Sequence, residues 1–131
     1  MYHKIQLIGY LGRDPEMRYT PGGAPVTNFS VAANDNFTNA QGEKVERTLW
    51  FRVSAWGRMA EVANQYLRKG SPVMIEGRMV GDDTGNPRIW AGQGGEARAS
   101  FEVNASRVIF LPHRDGGSVG GYESVDDRIG Y

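Results

Sequence analysis

Residues 48–56 read Thr-Leu-Trp-Phe-Arg-Val-Ser-Ala-Trp. Strict alternation marks this run as an extended strand, with Leu49, Phe51, Val53 and Ala55 on one side and Trp50, Arg52, Ser54 and Trp56 on the other. The first side can be core. The second spaces two indoles around a guanidinium, where successive bases of an unpaired nucleic acid could stack beside a positive charge. Large aromatics also pin second cores and subunit interfaces, so the strand alone leaves both uses open.

Upstream, Lys4 to Leu11 alternates Ile5, Leu7, Gly9 and Leu11, a first strand broken by Gly12 and Asp14-Pro15 and resumed over Glu16 to Tyr19. After the Pro21-Gly22-Gly23 turn, Thr27, Phe29, Val31 and Ala33 share one face of a second strand. The polar stretch Asn34 to Lys44 reads as a long hairpin tip carrying one aromatic, Phe37. Downstream, Met59, Val62, Ala63 and Tyr66 share one helical face, so the spacing predicts an amphipathic helix over Arg58 to Lys69, closed by Arg68, Lys69 and Gly70. Pro72 to Met79 is a fourth strand, with Val73, Ile75, Gly77 and Met79 on one face. Gly81 to Gly95, rich in Gly, Asp and Asn, is an exposed excursion with a short hairpin around Arg88-Ile-Trp90. Ala99 to Leu111 is the last strand, and its alternation shifts between Ala105 and Val108, which marks a bulge.

Three strands, a helix and two strands is the order of an all-β fold with one helix: the five-stranded OB-fold Greek-key barrel, its helix between strands 3 and 4. Such a barrel offers oligonucleotides a groove across strands 2 and 3, where the aromatic and basic residues fall. The domain is expected over residues 1–111. Residues 112–131 hold Gly116-Gly117 and Gly120-Gly121 with few large aliphatics, and read as a flexible, mildly acidic tail.

The chain of 131 residues is long enough to bury a core, and its zero cysteines exclude thiol catalysis, thiolate-bound zinc and a disulfide framework. No apolar run reaches membrane-spanning length and no secretory signal opens the chain, so a cytoplasmic protein with no membrane partner is the expectation. The formal net charge is zero, yet residues 1–110 carry +2 and residues 111–131 carry −2. A slightly basic body with an acidic tail suits a polyanion-binding domain beside a partner-binding or self-shielding segment.

Several segments together resemble the bacterial single-stranded DNA-binding proteins: Lys4-Ile-Gln-Leu-Ile-Gly-Tyr-Leu-Gly-Arg-Asp-Pro-Glu-Met-Arg-Tyr19, Trp50-Phe-Arg-Val53, Trp56-Gly-Arg-Met-Ala-Glu-Val-Ala63, and Tyr66-Leu-Arg-Lys-Gly-Ser71 leading into Ile75-Glu-Gly-Arg78. The resemblance covers most of residues 1–79. It implies a homotetramer of OB-folds that wraps and protects unpaired DNA with little sequence preference during replication, recombination and repair, in the cytoplasm with the nucleoid. Trp50 and Trp56 match stacking positions, Phe37 falls where the family usually has a tryptophan, and Trp90 is the candidate for a fourth platform. Lys4, Arg18, Arg52, Arg58 and Lys69 match basic positions that approach phosphate, and Phe51 matches a position of subunit contact. Two stretches depart from the pattern. The excursion from Val80 to Arg98 lacks the usual basic, aromatic loop, and the end, Glu123-Ser-Val-Asp-Asp-Arg-Ile-Gly-Tyr131, lacks the acidic tip closing in Pro-Phe through which replication and repair proteins are recruited.

No phosphate loop, zinc-binding His-Glu-x-x-His or nucleophile elbow is present, so neither catalysis nor a cofactor or metal is expected. Asp82-Asp-Thr-Gly-Asn86 has the look of a calcium loop, but Pro87 stands where such a loop needs glycine, and a solvated turn is the better reading. The competing function is a primosome-type OB-fold adaptor that meets DNA only secondarily; its mark would be loss of the strand 3 aromatics. A third reading is an OB-fold hydrolase or oligosaccharide binder, since fold alone does not fix ligand; paired acids converging in the groove would favour hydrolysis, and none is found on strands 2 or 3.

Overall fold

The computed structural model describes residues 1–112 and 123–126. In chain order the elements are β1 (Ile5–Leu11), β2 (Glu16–Tyr19), β3 (Pro25–Asn34), β4 (Phe37–Thr38), β5 (Lys44–Val45), β6 (Thr48–Trp56), α1 (Arg58–Tyr66), β7 (Pro72–Met79), β8 (Ile89–Ala91), β9 (Ala97–Ala99), β10 (Phe101–Phe110) and β11 (Glu123–Asp126). Strands β1, β3, β6, β10 and β7 close on themselves. β1 pairs antiparallel with both β3 and β7, β3 with β6, β7 with β10, and β6 runs parallel to β10. That is the OB-fold barrel, with β2 extending the β3 edge and the hairpins β4–β5 and β8–β9 standing as separate two-stranded sheets.

Alternation explains the closure. Leu7, Phe29, Val31, Val53, Val73, Ile75 and Val103 all point inward and are buried, each contributing about 1.5–3 kcal/mol by leaving water. Gly9 sits where the β1–β3 seam brings two backbones together: a Cβ there would collide with the Ala32 carbonyl. α1 closes the barrel through Met59, Ala60, Ala63 and Leu67, and the buried Thr27 hydroxyl donates to the Ala60 carbonyl at 2.6 Å. The expected bulge on the last strand lies between Ala105 and Arg107.

The helix ends at Tyr66, three residues before the expected Lys69. Tertiary partners take the chain away from helical geometry there. The Lys69 N–H donates to Asp14 Oδ1 and the Gly70 N–H to the Leu11 carbonyl, both at 2.8 Å. The Arg68 guanidinium still serves the helix end, donating to the Asn64 and Leu67 carbonyls at 3.2 and 2.7 Å. The solvated-turn reading of Asp82 to Asn86 matches what is seen: Asp82 Oδ1 accepts from the Thr84 N–H, the Thr84 hydroxyl and the Asn86 N–H.

Within the stretch expected as a tail, Glu123–Asp126 pairs antiparallel with Arg107 to Phe110 of β10. The remainder of that expectation, residues 113–122 and 127–131, lies outside the described residues. Among the described residues no helix is long and apolar enough to cross a membrane.

Replacing Gly9 by alanine is expected to lower stability by about 3 kcal/mol, the upper part of the range for overpacking, because the obstacle is backbone. Urea denaturation of the two proteins checks it.

Candidate nucleic-acid interface

The outward residues of three adjacent strands make one surface. On β6 these are Trp50, Arg52, Ser54 and Trp56. Opposite them on β3 lie Ala32, Ser30, Asn28 and Val26, and opposite Arg52 and Ser54 on β10 lie Glu102 and Asn104. Polar side chains cross-brace this surface: Ser54 donates to Asn28 Oδ1 at 2.7 Å, and the Trp56 indole N–H donates to Asn104 Oδ1 at 3.4 Å.

Trp50 is 51% exposed and Trp56 45% exposed, so both rings offer a face to solvent while remaining anchored to a strand. Trp50 lies against Gly12, where a Cβ would come within 2.5 Å of its ring. The missing side chain at Gly12 is therefore what lets the indole settle beside the turn after β1. On its other flank Trp50 borders an apolar recess of about 510 Å³ with Leu49, Met79, Pro87 and Phe101.

The other two aromatics sit on the separate hairpins, each beside an arginine. Phe37 is 40% exposed on β4, with the Arg47 guanidinium 4.6 Å from its ring centroid and Arg47 Nε 2.7 Å from Asp35. Trp90 is 38% exposed on β8, and the Arg52 guanidinium approaches its ring to 5.8 Å. Trp50, Trp56 and Trp90 are thus linked through β6 and Arg52.

Between β2, β3, β6 and β10 runs a polar groove of about 310 Å³. Arg18 and Arg52 line it, together with Arg13, Arg88 and Glu102. Of the other expected cations, Arg58 is exposed at the first position of α1, two residues after Trp56, and Lys69 is exposed beyond the helix end. Lys4 is engaged by Glu76 at 2.8 Å, on the β1–β7 side of the barrel. Neither Lys4, Arg58 nor Lys69 lines the groove.

Glu102 was not singled out from the sequence. It is 9% exposed and accepts two hydrogen bonds from Arg88, from Nε at 2.9 Å and from Nη2. Those bonds hold its carboxyl below the usual carboxylate range, against the opposing effect of burial, with the Arg88 and Arg52 charges adding to the lowering. The same contact raises Arg88. Arg13 was also missed; the available signal was its place one residue after Gly12, in the turn that cradles Trp50.

Comparison with known proteins gives a consistent picture. Residues 2–111 match the model of the single-strand binding protein family. A single-stranded DNA-binding protein of Wolinella succinogenes is 39% identical over 126 residues, covering 96% of this chain and 74% of the relative. One from Neisseria meningitidis serogroup A is 40% identical over 118 residues, covering 90% of this chain and 64% of the relative, and one from serogroup B has the same figures. The chain therefore spans less than two thirds of the Neisseria proteins.

Two measurements test the geometry. In a Trp56→Phe, Trp90→Phe background, Gly12→Val is expected to dislodge the Trp50 ring, changing its emission and raising its quenching by acrylamide, with little loss of thermal stability because the obstacle is a side-chain end. For Glu102, whose folded pKa is depressed, the stabilisation is present above the unfolded value of about 4.3 and lost as pH falls through the folded one. Glu102→Gln and the parent are accordingly expected to differ in thermal stability at pH 7 and to converge in acid.

Proposed function

The chain belongs to the single-strand binding protein family, and from that premise we propose that it binds and protects single-stranded DNA with little sequence preference, in replication, recombination and repair. One observation carries the reading: two half-exposed indoles flank Arg52 on the outward side of a single strand. Each base stacked on such a ring contributes about 1–3 kcal/mol, and every base has a π-face to stack, which makes the binding tolerant of sequence. Phe37 and Trp90 serve as further platforms, and Arg18 and Arg52 meet phosphate along the groove. Arg58 and Lys69 extend the basic track beyond it, and Lys4 contributes after exchanging Glu76 for phosphate. Duplex DNA is excluded because its bases are already stacked.

The working assembly is a homotetramer. In support, the outward side of β1 is apolar where it meets β7: Ile8 and Tyr10 are exposed, and their partners across the ladder are Met74 and Pro72. Of the other residues considered for subunit contact, Val26 is buried within this chain, Ala32 is half-buried, and Phe51 packs on Phe101 at 5.5 Å. Residues 112–131, acidic in balance though without a closing Pro-Phe, are the segment we assign to the recruitment of replication and repair proteins, and the DNA ligand implies a place with the nucleoid in the cytoplasm.

Titrating the intrinsic fluorescence with poly-thymidine and with a duplex of equal length, at two salt concentrations, tests the reading; absence of quenching by the single strand would overturn it. Trp50→Ala and Trp56→Ala are each expected to weaken binding by about 5- to 150-fold. Arg18→Ala is expected to flatten the plot of log affinity against log salt by about 0.7. Mass measurement in solution tests the tetramer, and a pull-down with and without residues 122–131 tests the tail.

A further inference from the structure

Glu102 is an acid on the floor of a groove that would take a polyanion, which calls for a reason. It lies on the outward side of β10 in register with Arg52 and grips the excursion between β7 and β10 at two points. Its main-chain carbonyl accepts the Val80 N–H at 2.9 Å, where the chain leaves the barrel. Its carboxylate takes the fork of Arg88, one residue before β8 begins. Two residues further on is Trp90, whose ring meets Arg52, the neighbour of Glu102 across the β6–β10 pairing.

The hairpin needs such a tether. β8 and β9 are three residues each, are exposed throughout, and form a two-stranded sheet outside the barrel. An isolated two-stranded hairpin is at best marginally stable in water, whereas a forked guanidinium–carboxylate contact fixes direction as well as distance.

Building on the single-strand-binding reading above, we propose that Glu102 is a positioning residue for DNA binding: by holding Arg88 it fixes the β8–β9 hairpin so that Trp90 stands beside Arg52 over the groove. The alternative role for this acid, simple repulsion of phosphate, has the opposite sign. Removing a repulsive carboxylate tightens binding, while removing a tether weakens it.

The test uses the full chain and a fluorescently labelled oligothymidine, with Arg88→Ala, Glu102→Ala, Trp90→Ala and the Arg88→Ala, Trp90→Ala pair. Arg88→Ala and Glu102→Ala are each expected to weaken binding about tenfold, the order of one lost stacking platform. The double variant is expected to bind no more weakly than Trp90→Ala alone. In the free protein, amide hydrogen exchange over residues 89–99 is expected to accelerate in Arg88→Ala while the barrel strands keep their protection. Arg88 is half-exposed, so this variant keeps the fold even where Glu102→Ala does not. Unchanged or tighter binding by both variants, additive losses with Trp90→Ala, or unchanged hairpin exchange would each overturn the proposal. Failure of the unmodified protein to bind the oligothymidine would instead overturn the functional reading and leave the exchange experiment to decide the tether.

Discussion

Nine successive antiparallel pairs between Val26–Asn34 and Thr48–Trp56 hold the two sides of this molecule apart. A slip of one residue in that ladder would turn Trp50, Arg52 and Trp56 inward and Val53 and Ala55 outward. Burying the Arg52 guanidinium without a partner costs several kcal/mol, and exposing the core residues forfeits about as much again. The register that builds the barrel is therefore the same one that displays the aromatic row. Fold and binding surface are two consequences of a single alternation.

The groove also explains how a chain of zero net charge can present itself to a polyanion. Arg13, Arg18, Arg52 and Arg88 converge on it, but Asp14, Glu16 and Glu102 line it as well. Asp14 is occupied in accepting the Lys69 N–H, and Glu102 in holding Arg88. These acids work as fasteners on the protein's own loops. With acids offsetting part of the basic charge, the proposed binding would lean on stacking by the half-exposed indoles more than on counterion release.

Much of this was legible in residue order. Period-two runs located β1, β3, β6, β7 and β10, the broken alternation after Ala105 located the bulge, and the outward pair Trp50 and Trp56 followed from parity alone. What parity misses is set by neighbours in space. Val26 has the outward parity of Trp56 yet is 1% exposed, because it lies in register between the longer Arg18 and Trp56 on its two flanking strands. The helix stops at Tyr66 because the amides beyond Leu67 find other partners: Arg68 donates to Ser71 Oγ, and Lys69 and Gly70 donate to Asp14 and Leu11, more than fifty residues away in sequence. Glu102 stood inside a strand already assigned to the barrel, and nothing in the linear order pairs it with Arg88.

The two hairpin aromatics differ in a way that bears on how a strand of DNA would be held. Phe37 is packed by Arg47, which belongs to its own hairpin and is braced by Asp35 at the hairpin's base. Its orientation is a local matter, independent of the groove. Trp90 is packed by Arg52, which belongs to the barrel floor, and its hairpin is fastened by Glu102, also on the floor. Any ligand that moves Arg52 therefore acts on Trp90, and any ligand that stacks on Trp90 acts on Arg52. Cation–π attraction, ion pairing and strand register meet at this one point, so the groove and the β8–β9 hairpin are physically coupled, while the Phe37 hairpin is braced by its own residues.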